Sequence, residues 1–147
     1  MSYFNEHALE LSIMELFQDE GYLYLQGDKI HRERSEVLLV DDLKQYLYNR
    51  YAKDGITTNE VESIVFSLRT ISGTIYEANK TVYKLISDGF IFNREDRTQK
   101  DLYIELVDFD TPENNIFKVV NQFEIEGVEK QLRIPDGIVF INGIPVV

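Results

Sequence analysis

The sequence contains no cysteine, which excludes disulfides and thiolate metal sites. Its two histidines, His7 and His31, cannot build a zinc site alone. The opening residues, Met1 to Glu6, lack the basic start and apolar stretch of a signal peptide. No apolar run approaches the length of a membrane span. A cytoplasmic protein without membrane contact is therefore expected. There is no glycine-rich phosphate loop. Positive charge is sparse as well: 15 Lys and Arg face 26 Asp and Glu, for a net charge of -11. The phosphate backbone repels such a chain, which argues against a self-sufficient DNA-binding module.

What is present suffices for a folded domain. A length of 147 residues with 44% hydrophobic content predicts one domain with a real core. Helices come first. Asn5 is placed to cap a helix carrying Leu9, Ile13, Leu16 and Phe17 at the spacing of a buried face, with Gly21 as its stop. Tyr22 to Leu25 reads as a short strand. Asp41 or Asp42 caps a helix through Tyr51, with Leu43 and Leu47 inward. Thr57 and Glu60 form a capping box ahead of Val61, Ile64, Val65 and Leu68. A further helix runs from Tyr76 to Ser87 and stops at Gly89.

The second half changes period. Leu102, Ile104 and Leu106 alternate with their neighbours, and Ile116 to Glu126 reads as one longer strand. Residues 93–100 read as a polar loop. Ile138 to Ile141 and Ile144 to Val147 flank Asn142-Gly143, a strong hairpin signal. Helices first and antiparallel strands later predict an α/β (α+β) fold, with N-terminal helices packed on a mixed sheet. The apolar end, Ile144 to Val147, is expected to begin a buried strand with more protein beyond it.

Few residues offer chemistry. Pro135-Asp136 stands at the mouth of the hairpin, where an aspartate ahead of an apolar strand can project from a sheet edge and hold a hard cation. Taken alone, Pro-Asp-Gly is more often a plain turn. Asn121 has the parity of Phe117, Val119, Phe123 and Ile125, so it points with the apolar face. Gln122 then shares the face of Lys118 and Val120. Either amide could serve a site, or simply satisfy backbone groups. Lys29, Arg32 and Arg34 form one basic stretch; Arg94, Arg97 and Lys100 form another. Interspersed acids make a solvated surface the better reading of both. His7 and His31 read as solvated. Tyr46, Tyr48 and Tyr51 read as packing residues rather than a base-stacking platform.

The string from Arg133 to Val147 resembles the N-terminal domain of the R (restriction) subunits of type I restriction enzymes. That family shows an arginine, Pro-Asp, an apolar strand, Asn-Gly-hydrophobic-Pro, and a last strand bearing Glu-x-Lys, the PD-(D/E)xK nuclease motif. Asn5 to Tyr22 resembles its opening helix, which carries an acidic residue and ends in Gly-Tyr. Phe117 to Phe123 resembles its Val-Asn-Gln-Phe strand. The likeness covers essentially the whole chain, 1–147, and implies a restriction-endonuclease-like core, incomplete at the C-terminus.

The resemblance implies Mg²⁺-dependent cleavage of double-stranded DNA in a complex with modification and specificity subunits. ATP would act only in motor domains downstream. Asp136 matches the motif's aspartate, while the Glu-x-Lys half has no counterpart here, so the 147 residues alone are expected to be inactive. The acidic balance does not conflict with this, since carboxylates that hold Mg²⁺ are themselves negative. Glu10 is the candidate for the first-helix carboxylate, with Glu6, one turn earlier, as rival and a solvated glutamate as the alternative. Asn121 and Gln122 are possible supports. Because the family's glutamate falls an even number of residues after Asp136, a three-residue turn pairing Phe140 with Ile144, with Gly143 at positive φ, is expected to keep both on one face. A second function class stays open: a non-catalytic acidic domain that docks protein partners.

Overall fold

The computed structural model describes residues 6–71, 75–126 and 131–146. Its helices are α1 (Glu6–Asp19), α2 (Val40–Tyr51), α3 (Thr58–Arg69) and α4 (Ile75–Asp88). Its strands are β1 (Leu23–Gln26), β2 (Phe90–Phe92), β3 (Leu102–Ile104), β4 (Phe117–Asn121), β5 (Ile125–Glu126), β6 (Leu132–Arg133), β7 (Gly137–Ile141) and β8 (Ile144–Pro145). This is an α+β fold. The expected cap Asn5 lies outside the described residues. The chain divides into two compact units, one built from residues 1–39 and 116–147, the other from 40–115.

The first unit holds the four-stranded sheet, in the order β1-β4-β7-β8. β1 runs parallel to β4, β4 pairs antiparallel with β7, and β7 pairs antiparallel with β8. Strand alternation gives the sheet two apolar faces. Val119 and Val139 face α1, where Met14 packs on them with Phe17, Tyr22 and Tyr24. Val120, Ile138 and Phe140 face the other way, into a core with Leu39 and Phe123.

Two expectations for this unit are corrected. The inward row of α1 is Glu10, Met14 and the expected Phe17, while Leu9, Ile13 and Leu16 are 44%, 40% and 65% exposed. A polar contact of Glu10, described below, and the seating of Met14 against Gly137 set this rotation. Hydrophobic periodicity registers neither. The single strand expected over 116–126 is broken into β4 and β5 at Gln122, which has φ 51.

The hairpin is also corrected. Ile141 pairs with Ile144 and Phe140 with Pro145, a two-residue turn. Asn142 and Gly143 have φ 53 and 80, the left-handed pair of a type I′ turn, so Gly143 takes the expected sign of φ in a different turn. Asn142 is fully buried and does more than turn the chain. Its N–H donates to Ile116 O at 2.8 Å, and its Oδ1 accepts from Ile116 N at 2.7 Å. The Asn-Gly pair thereby ties the hairpin to the approach of β4.

The second unit packs α2 and α3 together, with β2–β3 as a separate antiparallel pair. The Thr57–Glu60 capping box forms as expected. Leu43, Leu47, Val61, Ile64 and Val65 are buried. Tyr46 and Tyr51 are core residues: the Tyr46 hydroxyl donates to Glu105 O, and Tyr51 Oη accepts from Glu105 N. Arg94 corrects the polar-loop reading. It is 4% exposed, and its guanidinium donates to Glu60 at 2.8 and 3.1 Å and to the carbonyls of Asp54 and Gly55.

Candidate metal centre

A cavity of about 310 Å³ lies in the first unit between α1 and the sheet. α1 contributes Glu6, Leu9, Glu10, Ile13, Met14 and Phe17; the sheet side contributes Val119, Asp136, Gly137 and Val139. Glu10 and Asp136, remote in sequence, thus share one cavity. Glu6 lines it too, but as an exposed residue, whereas Glu10 is 7% exposed. Gly137 leaves room beside Asp136: a Cβ there would stand 2.8 Å from the Met14 methyl.

Asp136 sits in the bend before β7 and is exposed. It lines the cavity together with Gly137 and Val139, so it does not continue the strand's alternation from Ile138 and Phe140. That is why the register expectation failed. The face that matters is that of Val139, whose carbonyl accepts from Val146 N at 2.9 Å. In this hairpin, even-numbered positions on the last strand fall opposite odd ones on β7.

Glu10 is held by Gln122. The Gln122 amide nitrogen donates to both carboxylate oxygens, each at 3.0 Å. His7 Nδ1 stands 3.9 Å from Glu10 and is mostly exposed. The expected placing of Gln122 on the Val120 face is overturned. Its left-handed backbone, a conformation costing about 1–2 kcal/mol in a non-glycine residue, reverses the alternation. Gln122 thereby reaches α1, and Phe123 drops into the core of Val120 and Phe140.

Asn121 pairs with Gly137 across β4 and β7, next to Asp136. It is 1% exposed, and its Oδ1 has no hydrogen-bond partner among the described residues. A buried amide oxygen without a donor is rare in folded proteins. Glu10 and Asp136 set two carboxylates on one cavity, and Asn121, outside its lining, adds an orphaned amide oxygen on the strand beside Gly137; oxygen donors of this kind suit a hard divalent cation such as Mg²⁺ and not a soft metal. No three His, Cys, Asp or Glu converge on a metal-sized site among the described residues, so this set is a partial one.

Arg32 was expected at the surface. Its guanidinium instead lies 3.5 Å from the centre of the Phe123 ring and donates to the carbonyls of Glu36 and Glu124. A second, polar cavity of about 450 Å³ belongs to the other unit; Asn49, Arg50, Lys53, Glu113 and Asn114 line it, and it contains none of the expected site residues.

Residues 3–147 match the family described as type I restriction enzyme R protein N terminus. The chain is 32% identical to the type I restriction enzyme HindI endonuclease subunit of Haemophilus influenzae, over 97% of its own length. It is 28% identical to the putative type I restriction enzyme MjaIXP endonuclease subunit of Methanocaldococcus jannaschii, over 96%. It spans 14% of the length of each relative. The chain belongs to the family of type I restriction enzyme R protein N-terminal domains. No helix among the described residues is long and apolar enough to cross a membrane.

Proposed function

We propose that this chain contributes Glu10 and Asp136 to a Mg²⁺-dependent nuclease site that hydrolyses phosphodiester bonds of double-stranded DNA. The observation that carries the proposal is the shared cavity: a buried glutamate from α1 and the aspartate of Pro135-Asp136 line the same space. Bound Mg²⁺ would supply Lewis acidity toward the phosphate and an acidified water. The chain's own part is to hold oxygen donors in place. Glu10 is fixed by Gln122, Asp136 stands at the cavity edge, and Asn121 offers an unused oxygen between β4 and β7. A glutamate an even number of residues after Asp136 would share the Val139 face, because the two-residue turn sets even positions against the odd ones of β7.

In the whole enzyme, modification and specificity subunits would supply partners and DNA recognition, and ATP would serve motor domains elsewhere in the subunit. A cytoplasmic location follows from that role. The net charge of -11 fits a cleavage module brought to DNA by other parts of the enzyme.

Glu10 and Glu6 are separable by experiment. In the assembled enzyme, Glu10→Gln should slow DNA cleavage at least as much as loss of an outer-shell metal partner does, roughly 10–100-fold. Glu6→Gln should leave it near the unmodified rate, since Glu6 is exposed and on the rim. The reverse ranking would move the α1 carboxylate to Glu6. Full cleavage by both variants would remove α1 from the site; only if Asp136→Asn also cleaves like the parent would a docking role for this domain be favoured.

A further inference from the structure

Immediately after β4 the chain reverses its strand alternation at one residue, Gln122, and the reversal delivers an amide to Glu10. Regular alternation would turn Gln122 to the Val120 face, away from α1. Three features of the first unit hold the reversed backbone. Gly27 admits it: a Cβ there would stand 2.3 Å from the Gln122 carbonyl oxygen. Phe123 is fully buried beside Phe140. Arg32 covers the Phe123 ring and binds the Glu124 carbonyl. Glycine would adopt φ 51 without strain. A glutamine in that conformation is accounted for by the use of its side chain, since backbone strain of this kind concentrates at functional sites.

We propose that Gln122 is a positioning residue for the cation site, its kinked backbone aiming a neutral donor at Glu10. This rests on the Mg²⁺ site proposed above. One amide nitrogen bonded to both oxygens immobilises the carboxylate and leaves lone pairs on each oxygen for a cation. Neutrality matters: a lysine or arginine in this place would hold Glu10 equally well but would repel a divalent cation beside it.

The test uses Mn²⁺ and the 147-residue protein, read by paramagnetic broadening of the backbone amide signals of Glu10 and Gly137, with thermal melting in parallel. Two variants serve. Gln122→Gly relieves the strain and deletes the amide. Gln122→Asn keeps an amide and tolerates the left-handed backbone, but its side chain is one methylene shorter. Both should melt within a few degrees of the parent and need roughly 10–100-fold more Mn²⁺ for the same broadening. If the parent broadens at Glu10 and Gly137 and both variants titrate like it, Gln122 does not position the site, while the cation site itself stands. A variant that loses folding stability in step with Mn²⁺ affinity would make Gln122 a structural residue and overturn its assignment. If the parent shows no broadening at either amide, the cation site fails, and the role of Gln122 fails with it.

Discussion

Arg94→Ala should destabilise the protein by about 3–5 kcal/mol, the usual cost of removing one partner from a buried ion pair. Glu60 is 1% exposed and would be left with its charge and no cation beside it. The Arg94 hydrogen bonds, with backbone donors from Thr57 and Glu95, hold Glu60 at about 2, below the ordinary 4.5. The folded state therefore favours the ionised form. This contribution to stability is fully present above about 4.5 and is lost as pH falls from there toward 2. Denaturant melts of parent and variant at neutral pH should differ by the full amount, and the gap should narrow as the pH approaches 2. A difference under about 1 kcal/mol at neutral pH would mean that the pair behaves like a solvated surface bridge.

On the proposed function, Asp136→Asn in the assembled enzyme should abolish DNA cleavage, by on the order of a thousandfold or more, because several kcal/mol of transition-state stabilisation would depend on the proposed metal site. The exposed position of Asp136 makes the substitution cheap for folding. Thermal melting of the variant should match the parent, which separates a lost nuclease site from a misfolded domain. Cleavage within a few-fold of the parent would remove Asp136 from the chemistry.

Much of the fold was legible where local rules decide it. The Thr57–Glu60 capping box, the stop at Gly89 and the left-handed Gly143 each follow from a short stretch of sequence. The site was legible only in part. Asp136 and Glu10 stood out through family resemblance, and the fold places them at one cavity. What sequence could not supply were partnerships across the chain. Arg94 lies in a run of polar residues and its partner is 34 positions away, so nothing local distinguishes it from a solvated arginine. Gln122 obeys strand parity on paper and breaks it through one backbone angle. The only sequence hint was the Asn121-Gln122 interruption of an apolar strand. The hairpin register was misjudged because Asp136 was counted as part of β7, when it belongs to the bend ahead of it.

The most direct measurement is anomalous diffraction from crystals of this protein grown with Mn²⁺, which stands in for Mg²⁺ and scatters strongly enough to be located. The expected result is one peak in the cavity between α1 and β7, at metal–oxygen distances of about 2.1 Å from carboxylate oxygens of both Glu10 and Asp136. Asn121 Oδ1 or waters would complete the shell. A cavity without a peak at millimolar Mn²⁺, or a peak bound by neither carboxylate, would contradict the assignment of these residues to a metal centre.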